Sequence, residues 1–140
     1  MSDKQEEVEA AVENMLNEWK RAMLSWWVLA LITIRSMYGL EIAKEIEDST
    51  QGRMTVGAST IYQLLRRLER RGLIVESGWE KSTQGPPRAY YEATAAGREV
   101  VRRYIEEALS PQSPVAAALG QVTGELFQRL REDDQGAARG

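Results

Sequence analysis

The side chains of this chain that could do chemistry are hydroxyls, amides, carboxylates and guanidinium groups, because the sequence contains no histidine and no cysteine. Their absence excludes thiolate nucleophiles, imidazole bases, disulfides and metal sites built from these two residue types. The acidic residues show no paired spacing suited to a catalytic cleft, and no glycine-rich phosphate loop occurs. We therefore expect no enzymatic activity, no cofactor and no metal, and the remaining polar groups are suited to binding.

One stretch of the chain collects such groups on one face of a helix. Its apolar residues recur three and four positions apart, at Ile61, Leu64, Leu65 and Leu68. This spacing predicts a helix with one buried side. The opposite side carries Ser59, Tyr62, Gln63, Arg66 and Arg70. Short polar groups can enter the major groove of DNA, and tyrosine or arginine can bind phosphates or base edges. The alternative is an ordinary solvated helix face.

A hairpin is predicted directly after this helix. Two β-type segments, 73–80 and 88–94, flank a polar tip that is marked by glycine and two prolines. In the first segment Val75, Ser77 and Trp79 alternate with Glu76, Gly78 and Glu80, as expected for a two-stranded ribbon. The side chains able to reach phosphates or sugars beside a groove are Lys81, Ser82, Gln84 and Arg88. A helix with a polar face followed by a basic-edged hairpin predicts a winged helix that docks on duplex DNA.

The net charge of −3 conceals a strong segregation of charge along the chain. Residues 1–19 carry one basic and six acidic side chains, whereas residues 53–103 carry ten basic and five acidic side chains. The second region therefore has a local excess of positive charge, and the attraction of phosphates depends on such local patches. The alternative is that the arginines only solvate a helix face.

Five further helices are expected around this helix and hairpin. Segment 2–22 has a heptad-like apolar seam that favours contact with a second subunit over packing on its own domain, formed by Val8, Val12, Met15, Trp19, Ala22 and Trp26. Segment 24–35 is apolar on almost all sides and predicts a buried helix, and 40–48 predicts another after a turn at 36–39. Thr94 is expected to cap a helix that runs to Leu109, and a last amphipathic helix begins near Val115.

These patterns predict a mostly α-helical fold with a small two-stranded β-wing, namely a winged helix-turn-helix with N- and C-terminal dimerisation helices. We expect an N-terminal helix at 1–22, a DNA-binding domain at 23–97, C-terminal dimerisation helices at 98–131 and a flexible tail at 132–140. The longest apolar run, 26–34, is too short to span a bilayer, and the acidic N-terminus does not resemble a secretory signal. We therefore expect a cytoplasmic protein with no membrane partner.

Residues 23–103 resemble PadR-type transcriptional regulators, which are relatives of the MarR group of winged-helix repressors. The motifs that carry the resemblance follow one another at the family's spacing: Tyr38-Gly39-Leu40-Glu41-Ile42, Ser59-Thr60-Ile61-Tyr62, Arg67-Leu68-Glu69, Gly72-Leu73-Ile74 and Gly85-Pro86-Pro87-Arg88-Ala89-Tyr90-Tyr91. The resemblance implies a homodimeric, usually repressing, ligand- or stress-responsive regulator that binds a palindromic operator. It carries the family's DNA contacts onto Thr60 and Tyr62 and onto the wing at 81–88.

The sequence departs from the family pattern at three positions. Tyr38 stands where the family usually has histidine, and Leu40 stands where it has tyrosine. Gln63 replaces a common proline inside the recognition helix. Because glutamine can pair with adenine in the major groove, Gln63 is expected to alter base preference.

Two sets of site residues follow. The residues expected to contact DNA are Ser59, Thr60, Tyr62, Gln63, Arg66, Lys81, Gln84 and Arg88. Trp19, Trp26 and Trp27 lie near the predicted dimer seam, and indole faces suit flat aromatic or cationic ligands. They suggest a small planar aromatic or lipophilic effector at the dimer interface. The alternative, which the pattern favours, is that these tryptophans fill the core and the interface.

Other functions remain open at this point. A winged helix can act as a protein–protein adaptor, and the acidic N-terminal helix could then serve as an interaction arm. The basic residues Arg66, Arg67, Arg70 and Arg71 disfavour that interpretation. A non-specific architectural DNA binder is disfavoured by the negative net charge, because such proteins are generally basic throughout.

Overall fold

The computed structural model describes residues 2–81, 85 and 87–139. The elements are α1 (Asp3–Ile34), β1 (Met37–Tyr38), α2 (Gly39–Ser49), α3 (Ala58–Arg70), β2 (Ile74–Glu80), β3 (Arg88–Ala93), α4 (Ala95–Tyr104), a π-helical turn (Ile105–Leu109) and α5 (Pro114–Arg139). The fold is mostly helical with a small antiparallel sheet, as the sequence predicts. The chain forms two compact units, which divide between Val101 and Arg102. Across the described part of the chain, no helix combines the length and apolarity needed to cross a membrane.

Helix α1 is one continuous helix of 32 residues. It begins at Ser2, whose hydroxyl accepts a hydrogen bond from the backbone N–H of Gln5, and it contains no glycine or proline that would interrupt it. The sequence predicts two segments here, and the boundary expected after residue 22 falls inside this helix. Its C-terminal half buries Leu24, Val28, Leu29 and Ile32, whereas its N-terminal half is exposed.

Helices α2 and α3 complete the core of the first unit. The four apolar residues predicted to face inward on α3, namely Ile61, Leu64, Leu65 and Leu68, are all buried. They join Ile42 and Ile46 of α2 and the buried residues of α1 in one cluster. Full burial of each such side chain contributes roughly 1.5–3 kcal/mol. Helix α3 ends before Gly72, whose φ of 72° lies in the left-handed region that glycine adopts without strain.

The sheet has three strands in the order β1-β3-β2, where the sequence predicts two. The added strand β1 falls on the predicted turn, and Met37 and Tyr38 pair with Tyr91 and Tyr90 of β3. Met37 is buried, so the pairing also satisfies backbone groups that would otherwise be removed from water. The two predicted wing strands are present as β2 and β3. The third strand, β1, was not predicted, because a strand of two residues leaves no periodic signal.

Strand β2 contains a β-bulge between Glu76 and Gly78. A bulge adds one residue to a strand and reverses the alternation of its side chains. Trp79 therefore pairs with Ala89 and lies on the same face as Glu76, to which its Nε1 donates a hydrogen bond of 3.2 Å. The regular alternation expected through Ser77 places Trp79 on the other face, so that expectation was wrong.

The second wing strand is tied to the start of α4 by Thr94. Its hydroxyl donates to the carbonyl oxygen of Gly72 at 2.7 Å and accepts from the N–H of Gly97 at 3.1 Å, so the predicted cap is confirmed. Gly97 packs directly on the backbone, since a Cβ there would lie 2.1 Å from the carbonyl oxygen of Leu73. This close approach sets α4 against the start of β2.

The second unit contains the π-helical turn and α5. Ser113 is buried, and its hydroxyl donates to the carbonyl of Glu107 at 2.9 Å and accepts from the N–H of Ala116 at 3.0 Å. Helix α5 exposes a stripe of apolar side chains, namely Val115, Leu119, Val122, Leu126, Phe127 and Leu130. Residues 132–139, which the sequence predicts as a frayed tail, continue this helix to Arg139, because no proline interrupts it after Pro114.

Candidate nucleic-acid interface

Helix α3 presents the polar face that the sequence predicts. Ser59, Thr60, Tyr62, Gln63 and Arg66 are all exposed, while the opposite face of the helix is buried in the core. Ser59 and Thr60 lie in the first turn, directly after Gly57 and Ala58, so small hydroxyl groups occupy the leading end of the helix. The structure therefore brings these five predicted residues together on one accessible surface.

Tyr62 is held by the start of α2. A Cβ added to Gly39 would lie 2.9 Å from Cε1 of Tyr62, so the ring rests against the glycine backbone. The side chain remains 41% exposed. Any larger residue at position 39 would displace the ring, so the placement of Tyr62 depends on a glycine at this position. This gives a physical reason for glycine within the motif that begins at Tyr38.

Tyr91 of β3 lies between the wing and α3. Burial raises the pKa of Tyr91, and the nearby carboxylates of Glu69 and Glu76 raise it further, while Arg66 opposes them. Two of these neighbours, Glu69 and Arg66, belong to α3, and Glu76 belongs to β2. Tyr91 packs against the core cluster that includes the buried face of α3, and β2 contacts α3 directly, so the hairpin adjoins this helix.

The outer face of the wing carries an aromatic support for Arg88. The Arg88 guanidinium lies 4.7 Å from the centroid of the Tyr38 ring, in the range of a cation–π interaction. Tyr38 in turn meets Tyr90 edge-to-face, with ring centroids 5.3 Å apart. The Tyr90 hydroxyl donates a hydrogen bond of 2.5 Å to Glu80. Arg88 is exposed, yet its position is defined by its neighbours.

The hydrogen bond from Tyr90 to Glu80 has an electrostatic consequence. It is the main cause that raises the pKa of Tyr90 to about 12, with smaller contributions from burial and from the charge of Glu80. Tyr90 therefore remains a neutral donor at any physiological pH. The sequence indicates Arg88 but gives no sign of Tyr38, Tyr90 and Glu80 as its supports, because their contact depends on the strand register.

The tip of the wing is bracketed by Lys81 and Arg88. Lys81 is exposed at the end of β2, and both cations face solvent. The predicted contacts Ser82 and Gln84 lie outside the described residues. Of the predicted wing contacts, the structure thus places Lys81 and Arg88 on the hairpin that adjoins α3.

The arginines of α3 and of its C-cap lie on the exposed surface. Arg66, Arg67, Arg70 and Arg71 are exposed, and none of them forms an ion pair with any residue that the structure describes. An uncompensated row of guanidinium groups beside a wing is suited to the phosphates of a nucleic acid, where binding releases counterions. The charge segregation seen in the sequence therefore becomes a cationic surface on this part of the first unit.

The three tryptophans considered as an effector site occupy two environments. Trp26 and Trp27 are half-buried and pack against the core cluster. Trp19 is 55% exposed and lines a shallow apolar depression of about 400 Å³ together with Val12, Met15 and Leu16. The structure thus places Trp19 on the predicted dimer seam and the other two indoles against the core.

The fold and the exposed α3 face define a winged helix-turn-helix of the transcriptional-regulator class. The family model described as the transcriptional regulator PadR-like family matches residues 28–103, which is more than half of the chain. The protein therefore belongs to the PadR-like family of transcriptional regulators.

The chain is also similar to solved structures and to a sequence relative. A PadR family transcriptional regulator from Eggerthella lenta is 27% identical, with 89% of this chain and 96% of that chain covered and a TM-score of 0.60. A PadR-like transcriptional regulator from Bacillus cereus shares the fold at 24% identity, with 81% and 96% covered and a TM-score of 0.53. An uncharacterized protein of Lysinibacillus sphaericus is 29% identical over 87 residues, covering 62% of this chain and 79% of the relative.

Proposed function

We propose that the protein is a homodimeric repressor that binds a palindromic operator through α3 and the wing. The observation that carries the proposal is the exposed, polar face of α3, whose arginines have no ion-pair partner among the described residues and which lies directly beside the hairpin. Membership of the PadR-like family implies DNA-binding regulation. The repressor role and the palindromic site are the finer parts of the proposal.

In this proposal α3 of each subunit enters a major groove, and the two half-sites lie about one helical turn, ~34 Å, apart. Ser59, Thr60 and Gln63 are at the leading end or on the exposed face of α3, where they read base edges. Larger cationic side chains and Tyr62 bind the backbone and set the register. The side chains proposed to contact the DNA backbone are Tyr62, Arg66, Lys81, Gln84 and Arg88.

The dimer is proposed from apolar surface that the monomer leaves uncovered. On α1 the side chains of Val8, Val12, Met15 and Trp19 are each at least half exposed, although the seam they form has the spacing of a helix-pairing surface. Helix α5 exposes a second apolar stripe. Contiguous apolar patches of this kind mark protein interfaces. A second copy of the chain supplies the partner in the proposal, consistent with two-fold symmetry of the operator.

The proposal also places the binding site of a small planar effector at the dimer seam. Trp19 lies in the apolar depression on α1, and Trp26 and Trp27 lie further along the same helix. A planar aromatic ligand is expected to quench their fluorescence in a saturable manner, and Trp19→Ala, Trp26→Ala or Trp27→Ala should weaken the quenching. A diverse panel of aromatic compounds without saturable quenching would support the alternative, in which the indoles only fill the core and interface.

The experiment that tests the DNA-binding proposal is selection of bound sequences from a random duplex library at physiological salt. An enriched palindrome is the expected result, and the distance between its half-sites tests the placement of α3. Tight binding without an enriched sequence would instead indicate an architectural DNA binder. Absence of binding would favour the protein–protein adaptor, provided that the preparation is free of bound small molecules.

Two variants test the docking surface itself. Arg66→Ala and Tyr62→Ala should each weaken binding to the enriched duplex strongly, and to a similar extent for related sequences, because both side chains are proposed to contact the phosphate backbone, while the dimer stays intact by sedimentation. Arg129→Ala is the matched control, because this exposed arginine lies on α5 and pairs with Glu125 at 3.2 Å. Wild-type affinity in both α3 variants would contradict the docking model.

A further inference from the structure

A basic pair on α1 lies beside the leading end of α3. The side chains of Lys20 and Arg21 line a depression of about 140 Å³ that also reaches the loop before α3 and the first turn of α3. The other residues that line it are Leu24, Met54, Thr55, Val56, Gly57 and Thr60. Two basic residues and two threonines therefore line one depression, next to the residues that are proposed to enter the groove.

The two charges have no ion-pair partner in the part of the chain that the structure describes. Neither Lys20 nor Arg21 forms an ion pair with a residue in the described ranges, although the N-terminal half of the same helix is rich in glutamates. Glu18 is two positions from Lys20, which lies on a different side of the helix, and three positions from Arg21, a spacing that allows a pair. No ion pair between Glu18 and Arg21 is nevertheless present among the described residues. An uncompensated lysine and arginine with hydroxyl neighbours have the chemistry that binds a phosphate group.

The basic pair also lies away from the centre of the proposed dimer seam. Successive residues of an α-helix are rotated by about 100°. On this basis Arg21 lies on the side of α1 opposite the seam residue Trp19, and Lys20 lies between these two sides. Leu24, which is buried, follows Lys20 and Arg21 by four and three positions and so shares their side of the helix. Lys20 also lines a depression that includes Val8 and Val12, so it lies at the edge of the seam. Arg21 lies on the opposite side and stays accessible when a second copy covers the seam.

We propose that Lys20 and Arg21 bind a phosphate of the operator backbone at the leading end of α3, so that α1 is part of the DNA-binding surface. The inference rests on the proposed DNA-binding function and extends its footprint beyond α3 and the wing. The backbone of duplex DNA is the partner because Thr60, which shares the depression, belongs to the face that enters the groove. The strand that borders this groove then passes the depression. Such a contact adds affinity without adding sequence preference.

The test measures how affinity for the library-enriched duplex depends on salt. The slope of the logarithm of the binding constant against the logarithm of salt concentration should fall by about 1 in Lys20→Ala and in Arg21→Ala, because each variant removes one cation that neutralises a phosphate. Binding at 0.1 M salt should weaken by about tenfold. Lys4→Ala is the matched control, because it removes the same charge from an exposed position at the far end of α1 and should leave the slope unchanged.

Two further measurements separate a phosphate contact from a structural effect. Lys20→Arg keeps the charge but changes the shape of the side chain, and it should retain the wild-type slope. If the effect of Lys20→Ala came from lost packing, Lys20→Arg would be expected to change the slope as well. The ratio of affinities for the enriched duplex and a scrambled duplex should be the same in wild type and in Lys20→Ala. A change in that ratio would overturn the assignment of a sequence-independent backbone contact.

The outcome also distinguishes this inference from the function on which it rests. If wild type binds the enriched duplex and Arg66→Ala weakens it, while Lys20→Ala and Arg21→Ala match Lys4→Ala in slope, then only the contact from α1 is wrong. If wild type enriches no sequence and shows no salt-dependent binding, the proposed function and this inference are overturned together.

Discussion

Arg88 differs from the other cations of the proposed interface because it is held by an aromatic neighbour. A flexible surface arginine must lose side-chain conformational freedom when it binds a phosphate. The contact with the Tyr38 ring at 4.7 Å restricts the guanidinium before any ligand arrives. Tyr38 is also the position at which the sequence departs from the histidine usual in the family. The Tyr38 ring contacts Arg88 and Tyr90 of the wing, although α2 begins at the next residue. The tyrosine at this position therefore serves the wing.

The first prediction concerns this contact. Tyr38→Ala should weaken binding to the enriched duplex by about two- to fivefold, since an exposed cation–π contact contributes about 0.5–1 kcal/mol. Tyr38→Phe retains the ring and should remain close to wild type. In an Arg88→Ala background, Tyr38→Ala should have little further effect, because the two residues act through one contact. Additive losses in the double variant would show that Tyr38 acts by another route.

The second prediction concerns the ionisation of Tyr90. Donation to the Glu80 carboxylate favours the neutral phenol and raises the pKa of Tyr90 from 10.0 to about 12. Because the pKa in the folded state is raised, the stability that this bond provides is fully present below pH 10 and is lost as the pH rises towards about 12. Glu80→Gln keeps an acceptor but removes the charge, so the pKa of Tyr90 should fall towards its ordinary value.

The measurement is a titration of tyrosinate absorbance in the folded protein. The difference between wild type and Tyr90→Phe assigns the signal to this residue among the five tyrosines of the chain. If the pKa of Tyr90 is the same in Glu80→Gln as in wild type, the Glu80 carboxylate is not the cause of the raised pKa.

Among the elements, the wing depends on contacts that are distant in sequence. Thr94 ties the end of β3 to the turn after α3, and Gly97 lets α4 approach the backbone of Leu73. Because β2 begins directly after Leu73, this junction determines how the hairpin leaves α3. The junction therefore supports the relative placement of the two elements that are proposed to contact DNA.

The third prediction tests this junction. Gly97→Ala places a Cβ against the carbonyl oxygen of Leu73, where only 2.1 Å separates the two atoms. The backbone must shift, and overpacking of this kind costs about 1–3 kcal/mol or more. Urea unfolding should therefore show a lower free energy of unfolding. Gly120→Ala is the matched control, because Gly120 lies in α5 with open space around it and should gain up to about 1 kcal/mol. Equal stability of wild type and Gly97→Ala would refute the packing argument.

The elements also show what the sequence could predict. Helix α3 was predictable because its apolar spacing is a local signal, and Thr94 was predictable because a cap lies next to the helix it begins. Strand β1 was not, since two residues at Met37 and Tyr38 become a strand only by pairing with β3. The bulge in β2 and the support of Arg88 by Tyr38 depend on that same register, so periodicity along the chain could not indicate them.

At the scale of the whole molecule, α1 is one continuous helix where the sequence predicts two segments, 2–22 and 24–35. It therefore connects the exposed apolar residues of the first segment to the buried residues of the second. One continuous helix carries the exposed apolar residues Val12 and Trp19, the basic pair at Lys20, and the buried residues that anchor it in the core. In the proposed dimer, a change in how the two seams pack is therefore expected to move the start of α3 relative to its counterpart in the second subunit. A ligand that binds differently to two such arrangements would alter operator affinity by that difference.

The last prediction separates dimerisation from DNA reading. Val12→Asp places a charge in the proposed seam, so it should shift the protein towards the monomer in sedimentation equilibrium. Affinity for the full palindrome should fall at least about tenfold, because the second half-site no longer binds as an intramolecular event. Affinity for an isolated half-site should stay unchanged, since α3 and the wing are intact. Ala10→Asp adds the same charge on the opposite side of α1 and should leave the dimer in place.

A parallel variant on α5 decides which helix contributes more to the dimer. Leu126→Asp places a charge in the second exposed stripe, which includes Phe127 and Leu130. If Val12→Asp dissociates the dimer and Leu126→Asp does not, the seam on α1 is the main dimer interface. If Leu126→Asp dissociates the dimer and Val12→Asp does not, the interface lies on α5. If both variants remain dimeric and bind the palindrome as wild type does, neither apolar surface is the interface. The exposed seam on α1 would then require a partner other than a second copy of the chain. The two half-sites would have to be bound without a dimer formed through that seam.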